Sequence, residues 1–258
     1  MSRAQSHMNR AQELAEKKWW DEWNTSFRSK DNFDEISTDL FSHVAEIVKE
    51  LSHARAKRVL EVACGTGTLS RQLVFSSYYG LDVSQSAIEI ARREVKTLSM
   101  PASTEPPTYE VADIHDMPMP ARRFDIAICV DAVAYFRDQQ RALNRVAQAL
   151  NLDGRLILTT INPFVYNRIR RTARSPLKEG SISRWLSRGE LHDLVSSAGF
   201  RIDRSYTIMP RGNMGLLRVV NARRLNHVFG PRGAEVMRHW KEKIGLGQYR
   251  VVEATKMS

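Results

Sequence analysis

The sequence predicts an α/β fold, a doubly wound and mostly parallel sheet with helices on both faces. Three observations predict it. From residue 58 onward, short apolar runs of strand length alternate with amphipathic stretches of helical period. The first run opens straight into a glycine-punctuated turn, Val59-Leu60-Glu61-Val62-Ala63-Cys64-Gly65-Thr66-Gly67-Thr68-Leu69-Ser70. Acidic residues (Glu61, Asp82, Asp113 and Asp131) stand at or just past the ends of four successive runs. Ligands bind beyond those ends in sheets of this kind.

Residues 8–29 read as a helix carrying a dense aromatic group, Trp19, Trp20 and Trp23, with Phe27 behind. A second helix covers about 34–52, with Ile36, Leu40, Val44, Ile47, Val48 and Leu51 on one stripe. Asp31, Asn32 and Asp34 supply turn and cap chemistry between them. Residues 1–54 are therefore expected to form a helical lid ahead of a domain spanning 55–258.

Strand 58–62 leads into a helix expected from about 67, and strand 78–82 into a helix capped by Ser84, with Ile88, Ala91 and Val95 on one face. A proline-marked loop at 101–107 precedes strand 108–112, and Met117-Pro118-Met119-Pro120 breaks the chain again. Strand 124–130 is followed by helix 138–150. Asp153-Gly154 then turns into strand 155–161. Ser187 and Glu190 form a capping box at the head of a helix that Gly199 ends. Phe200–Met209 and Tyr249–Ala254 read as the last two strands. The span between them, 210–247, is too long for a hairpin connection and reads as a helical insertion, with helices near 213–228 and 232–243.

Bulk properties narrow the class. Hydrophobic residues at 42% and charged residues at 26% are ordinary for a folded globular chain of 258 residues. No apolar run is long enough to predict a membrane helix, and the N-terminus lacks an apolar signal core. Cys64 and Cys129 predict neither a disulfide framework nor a metal site. A cytoplasmic enzyme without a metal is the expectation. The net charge of +10 is uneven: residues 164–258 carry 19 Lys+Arg against 7 Asp+Glu, which leaves −2 for residues 1–163. A basic half after the ligand motifs suggests an anionic partner, or else a solvated basic surface.

The glycine turn lets backbone approach a ligand with no Cβ in the way. Asp82 lies 21 positions after Glu61, where an acid on the second strand accepts from ribose hydroxyls. A dinucleotide fingerprint needs a third glycine, and Ser70 stands there instead. Pyrophosphate seeks a bare helix N-terminus, whereas Glu61 and Asp82 add negative charge. A ligand with an ammonium end fits better.

Three further stretches complete the pattern: Phe124-Asp125-Ile126-Ala127-Ile128-Cys129, Ala149-Leu150-Asn151-Leu152-Asp153-Gly154-Arg155-Leu156, and Leu194-Val195-Ser196-Ser197-Ala198-Gly199-Phe200. With the glycine turn, they resemble the motifs of the small-molecule class I S-adenosylmethionine-dependent methyltransferases over roughly 55–255, with Ala63 in place of the first motif's leading glycine. The resemblance implies a Rossmann-like, seven-stranded sheet whose seventh strand is antiparallel, with the insertion between strands six and seven, and S-adenosyl-L-methionine as cofactor.

By position, the resemblance implies that Glu61 accepts from the methionine ammonium while Ala63, Gly65, Thr66 and Gly67 let the backbone approach. It implies that Asp82 holds the ribose with Val83 beside the adenine, that Asp113 and the Ile114 amide meet the adenine edge, and that Val130 and Asp131 lie by the methionine part. Trp20 is the expected lid residue over the sulfonium, aromatic faces favouring cations, although the tryptophan spacing also suits a core stripe. His115, Asp131 and Tyr135 are the catalytic candidates; a loop histidine, a helix cap and plain packing are their respective alternatives. Tyr166, Arg168, Arg171 and Arg211, with Arg170 beside them, are candidates for holding an anionic substrate.

The expected reaction moves a methyl group to an oxygen or nitrogen of a small metabolite, which can be anionic, in secondary or sugar metabolism. Two alternatives stand beside it. A nucleic-acid methyltransferase would suit the basic half, but Val130-Asp131-Ala132-Val133-Ala134-Tyr135 lacks the D/N-P-P-Y used on base amines, and no Pro-Cys pair is present. A non-catalytic S-adenosylmethionine-binding partner of a carrier protein or another subunit would keep the same acids.

Overall fold

A computed structural model describes residues 17–22, 33–52, 57–96, 105–116, 123–165, 185–208, 236, 239–240 and 242–257. The main elements are helix α1 (Phe33–Leu51), strands β1 (Lys57–Val62) and β2 (Phe75–Asp82), α2 (Gln85–Val95), β3 (Thr108–Val111), β4 (Phe124–Val130), α3 (Gln139–Ala149), β5 (Leu150–Ile161), α4 (Arg188–Ser197), β6 (Phe200–Ile208) and β7 (Tyr249–Lys256). The seven strands run in the order β3-β2-β1-β4-β5-β7-β6. Strand β7 is antiparallel to both its neighbours, as expected of the family fold. Two compact units divide the chain: Met1–Cys129 with Gln148–Gly154, and Val130–Ala147 with Arg155–Ser258.

In the first unit β1 pairs in parallel with β2 and β4, and β2 with β3. The stripe read on α1 is buried at Leu40, Val44, Ile47 and Val48. Ser84 caps α2, accepting from the Ala87 backbone N–H at 3.1 Å, and Ile88 and Ala91 face inward. The short helical stretch 17–22 belongs to the helix expected over 8–29.

Two expectations are corrected here. The helix expected from about 67 is only a 3-10 turn, Ser70–Gln72, after which Leu73 is extended. The buried Ser70 hydroxyl turns back to the Gly67 carbonyl at 2.8 Å, the kind of local bond that competes with helix continuation. Strand β2 begins at Phe75, paired with Lys57, and leaves no length for a helix. The Asp153-Gly154 turn is likewise a bend inside β5, which starts directly after α3. Asp153 sits at φ 59, and a Cβ on Gly154 would lie 2.8 Å from the Asn151 carbonyl.

In the second unit β7 aligns Thr160 of β5 and Thr207 of β6 with Arg250. Ser187 and Glu190 make both bonds of the capping box on α4, whose Leu191 and Val195 are buried, and Gly199 ends it at φ 85. Of the expected insertion, residues 236, 239, 240, 242 and 243 are helical, and all of 210–235 lies outside the described residues. No helix among the described residues is long and apolar enough to cross a membrane.

Candidate functional site

The turn after β1 uses left-handed backbone three times in five residues: Ala63 at φ 57, Gly65 at φ 54 and Gly67 at φ 67. Glycine adopts that region freely, and alanine pays for its Cβ. Hydrogen bonds hold the turn against β2, with Cys64 N–H donating to the Leu81 carbonyl at 3.0 Å and Gly67 N–H to the Cys64 carbonyl at 3.0 Å. A Cβ on Gly67 would fall 2.6 Å from the Tyr109 hydroxyl oxygen. That hydroxyl is 2.5 Å from Ser70 Oγ, so the residue in place of a third glycine braces the turn from beneath.

Asp82 closes the structure from the second strand. Its Oδ2 accepts from Gly65 N–H at 2.8 Å and its Oδ1 from Ser84 N–H at 2.9 Å. The Asp82 carbonyl accepts from Ala112 N–H at 2.9 Å, which ties in the segment that carries Asp113. Glu61 is buried at the end of β1, where the Tyr78 hydroxyl donates to its Oε2. Burial, and then the negative charges of Glu61 and Asp82, push the Cys64 thiol well up, so Cys64 is a neutral wall of the turn.

Asp113 Oδ1 accepts from the His115 backbone N–H at 2.8 Å and lies 2.6 Å from His115 Nδ1. The imidazole is only 3% exposed, and Ile114 between them is buried. His115 is thus not a loop histidine in solvent: it holds the acid read as the adenine-amino acceptor.

Residues 17–22 are moored to the same end of this unit. Asp21 Oδ1 accepts from Ser84 Oγ at 2.7 Å, Ser86 N–H at 3.1 Å and Ser86 Oγ at 3.0 Å. Burial raises the Asp21 pKa, but these bonds, led by Ser84, bring it below the ordinary value. Trp20 stands beside Asp21 and meets Trp19 edge-on with ring centroids 4.6 Å apart. The mooring is one residue from Val83.

The second unit contains Val130, Asp131 and Tyr135. Asp131 holds φ 50, a left-handed conformation sparsely used by residues with a Cβ. Its N–H is shared between the carbonyl and hydroxyl oxygens of Thr159, each at 3.0 Å. Its Oδ1 is buried with no hydrogen-bond partner. Burial, only partly opposed by the Ile161 backbone, pushes its carboxyl up to about 7. Asp131 is not the N-cap of a helix, for a short 3-10 turn (Val133–Tyr135) follows, with Tyr135 half-buried at its end.

Glu61, Ala63, Gly65, Thr66, Gly67, Asp82, Val83, Asp113 and Ile114 thus all lie in the first unit, and hydrogen bonds link the glycine turn to Asp82. Trp23, Phe27, Tyr166, Arg168, Arg170, Arg171 and Arg211 lie outside the described residues. Sequence reasoning missed Tyr78, Tyr109 and Asp21. The signal for Tyr78 was available: it shares a strand face with Gly80, which pairs with Glu61.

The residues present suit a ligand with an ammonium group, a ribose and an exocyclic amine. Glu61 precedes the turn, Asp82 accepts from its Gly65 N–H and Asp113 follows β3 in the same unit, so a pyrophosphate would meet like charge.

A family model described as a methyltransferase domain matches residues 36–205. The O-methyltransferase cnsE of Penicillium expansum is 27% identical over 167 residues, covering 61% of this chain and 56% of that protein. A ubiquinone biosynthesis O-methyltransferase of Coxiella burnetii is 31% identical over 110 residues, covering 42% of this chain and 45% of that protein. The chain therefore spans about half the length of these relatives. The solved S-adenosylmethionine-dependent methyltransferase of Mesorhizobium loti shares the fold at TM-score 0.53 and 20% identity, covering 78% of this chain and 91% of that one. So does the [4+2]-cyclase SpnF, at TM-score 0.58 and 20% identity, over 84% and 81% of the two chains.

Proposed function

The chain belongs to the class I S-adenosylmethionine-dependent methyltransferases, and we propose that it methylates an oxygen or nitrogen of a small, anion-bearing metabolite. Oxygen is the favoured acceptor because the Penicillium and Coxiella relatives are O-methyltransferases. The observation that carries the reading is the set of three acids around the glycine turn, two of them held by bonds to backbone N–H groups. S-adenosylmethionine, when bound, supplies a methyl group on a positively charged sulfur.

Glu61 accepts from the methionine ammonium, oriented by the Tyr78 hydroxyl. Asp82 accepts from the ribose hydroxyls with lone pairs its two backbone donors leave over, because each carboxylate oxygen takes more than one bond. Ala63, Gly65, Thr66 and Gly67 supply backbone at close range, and Val83 packs beside the adenine. Asp113 accepts from the adenine amine and Ile114 gives its N–H, with His115 as the positioning residue for Asp113. Trp20 closes over this side on the segment moored by Asp21. These residues prepay alignment and exclude water, which is most of what methyl displacement asks of a protein.

Val130 lies along the methionine part. Asp131 takes the acceptor's proton, a task suited to a carboxyl whose pKa burial has moved to about 7. Tyr135 faces the acceptor. Tyr166, Arg168, Arg171 and Arg211 extend the acceptor site in the basic half of the chain. Residues 1–54 act as the lid on a domain of 55–258 with its insertion at about 210–247, and the enzyme works in the cytoplasm.

The test pairs two measurements on the full chain. Calorimetry with S-adenosylmethionine and with NAD examines the donor side, where a preference for NAD would overturn the reading. Labelled S-adenosylmethionine incubated with fractionated metabolite extract examines the acceptor side. Label in a low-molecular-weight anionic product supports the proposal; tight cofactor binding with no transfer favours the non-catalytic alternative.

A further inference from the structure

In the second unit one cation stands out from the many surface arginines. Arg250 of β7 is flanked in register by Thr160 of β5 and Thr207 of β6, so the three side chains leave the sheet on one face. Ser205 lies on that face two residues before Thr207, and its Oγ is 2.8 Å from His192 Nε2 of α4. The first turns of α4 therefore overlie this part of the sheet, and Arg188 lies one turn before His192 on the same helix stripe.

The surroundings of Arg250 are built. Its Nη2 donates to Asn162 Oδ1 at 3.0 Å. Asn162 is fully buried and cannot swing away, since its Nδ2 donates to the carbonyls of Gly245 at 3.0 Å and Gly247 at 2.8 Å. Yet the positive charge is not matched. Arg250 Nε is buried without a hydrogen-bond partner, as is the hydroxyl of fully buried Thr160 beside it. Among the described residues no carboxylate forms an ion pair with Arg250 or with Arg188.

The charges instead oppose one another. Burial, and then Arg188, lower the Arg250 pKa. Burial, then Arg188 and Arg250, lower that of His192, with Asp193 opposing more weakly. A half-desolvated guanidinium facing a second cation is an arrangement that an anion relieves.

We propose that Arg250 and the exposed Arg188 form an anion-recognition site that takes a carboxylate or phosphate group of a small molecule. Asn162 fixes the Arg250 guanidinium, whose remaining Nη N–H groups pair with the anion while Arg188 covers it from α4. The site deepens the reading of an anion-bearing methyl acceptor by assigning the residues that select it.

The experiment titrates the full-length protein with inorganic phosphate and, separately, with benzoate, at constant ionic strength made up with chloride. Binding is followed by calorimetry on the wild type and on R188Q, R250Q and R250K. Saturable binding of at least one probe is expected. R188Q should weaken it several-fold and R250Q about tenfold or more, with R250K in between because a lysine keeps the charge but not the fork. Because Arg188 is exposed, R188Q decides the matter even if R250Q folds poorly. Non-saturable uptake in the wild type, or equal affinity in wild type and R188Q, overturns the site. The two probes distinguish phosphate from carboxylate. S-adenosylmethionine affinity, measured on the same samples, should be unchanged; its absence from the wild type would sink the methyltransferase reading while leaving the anion result to stand or fall alone.

Discussion

Asp82 Oδ2 accepts the backbone N–H of Gly65 at 2.8 Å, so the acid ending the second strand and the turn after the first form one hydrogen-bonded unit. The Asp82 side chain does two jobs with one pair of oxygens. It fixes the turn, and under the proposed function its remaining lone pairs are the ones that accept from the ribose.

Replacing Asp82 by alanine should therefore cost both stability and affinity. Two backbone donors lose their acceptor, worth about 2–4 kcal/mol in sum, and S-adenosylmethionine affinity should fall by about a hundredfold. D82N, which retains one acceptor oxygen, should lie between. Urea unfolding and cofactor calorimetry check the pair, and undiminished binding in D82A would overturn the role.

His115 should behave as a support for Asp113 rather than as a base. H115N offers an amide N–H near the place of Nδ1 and should hold cofactor affinity within a few-fold, whereas H115A should lose about tenfold. The pH profile of methyl transfer should keep its shape in both variants. A profile that loses its acidic limb in H115N would instead make the imidazole a proton acceptor.

Asp131 should make the protein less stable as pH rises through the neutral range. Its folded pKa of about 7 lies above the ordinary 3.8, so the folded state holds a proton that the unfolded state releases. The associated stability is fully present below pH 3.8 and is lost as pH rises to about 7. At about 1.4 kcal/mol per unit this amounts to at most roughly 4 kcal/mol. D131N should flatten the trend between the ordinary value of 3.8 and about 7, the window set by this shift. Urea unfolding of both proteins at several pH values gives the answer; parallel stability curves would count against it.

The turn itself offers a pair of opposite outcomes. A63G relieves a left-handed alanine at φ 57 and should stabilise by up to about 1 kcal/mol without harming cofactor binding. G67A introduces the same strain at φ 67 and drives a Cβ to 2.6 Å from Tyr109 Oη, so it should lose about 2 kcal/mol or more and most cofactor affinity. Thermal unfolding of the two variants against wild type checks the sign of each.

Local chemistry made much of this legible from sequence. The Ser84 cap, the Ser187–Glu190 capping box and the Gly199 helix stop each depend on residues within a few positions, and all are present. The acids at strand ends were readable because a parallel sheet places such ends at one edge whatever the side chains around them. Gly67 was readable as a turn, but the helix after it was not excluded by sequence. What excluded it was the pairing of Phe75 with Lys57, a contact between strands.

The amino-acid order carried the resemblance to the family and its cofactor, most of the strand sequence, and the positions of Glu61, Asp82 and Asp113 at or just past strand ends, because motifs, spacings and periodicities are local. The tertiary structure decided which groups hold them: Tyr78 on Glu61, Gly65 on Asp82, and His115 clasping Asp113. It also separated Arg250 from other basic residues of its half, since the desolvation of a guanidinium depends on what packs around it. Burial and unmatched donors are properties of the packed chain, and no local pattern in the sequence carries them.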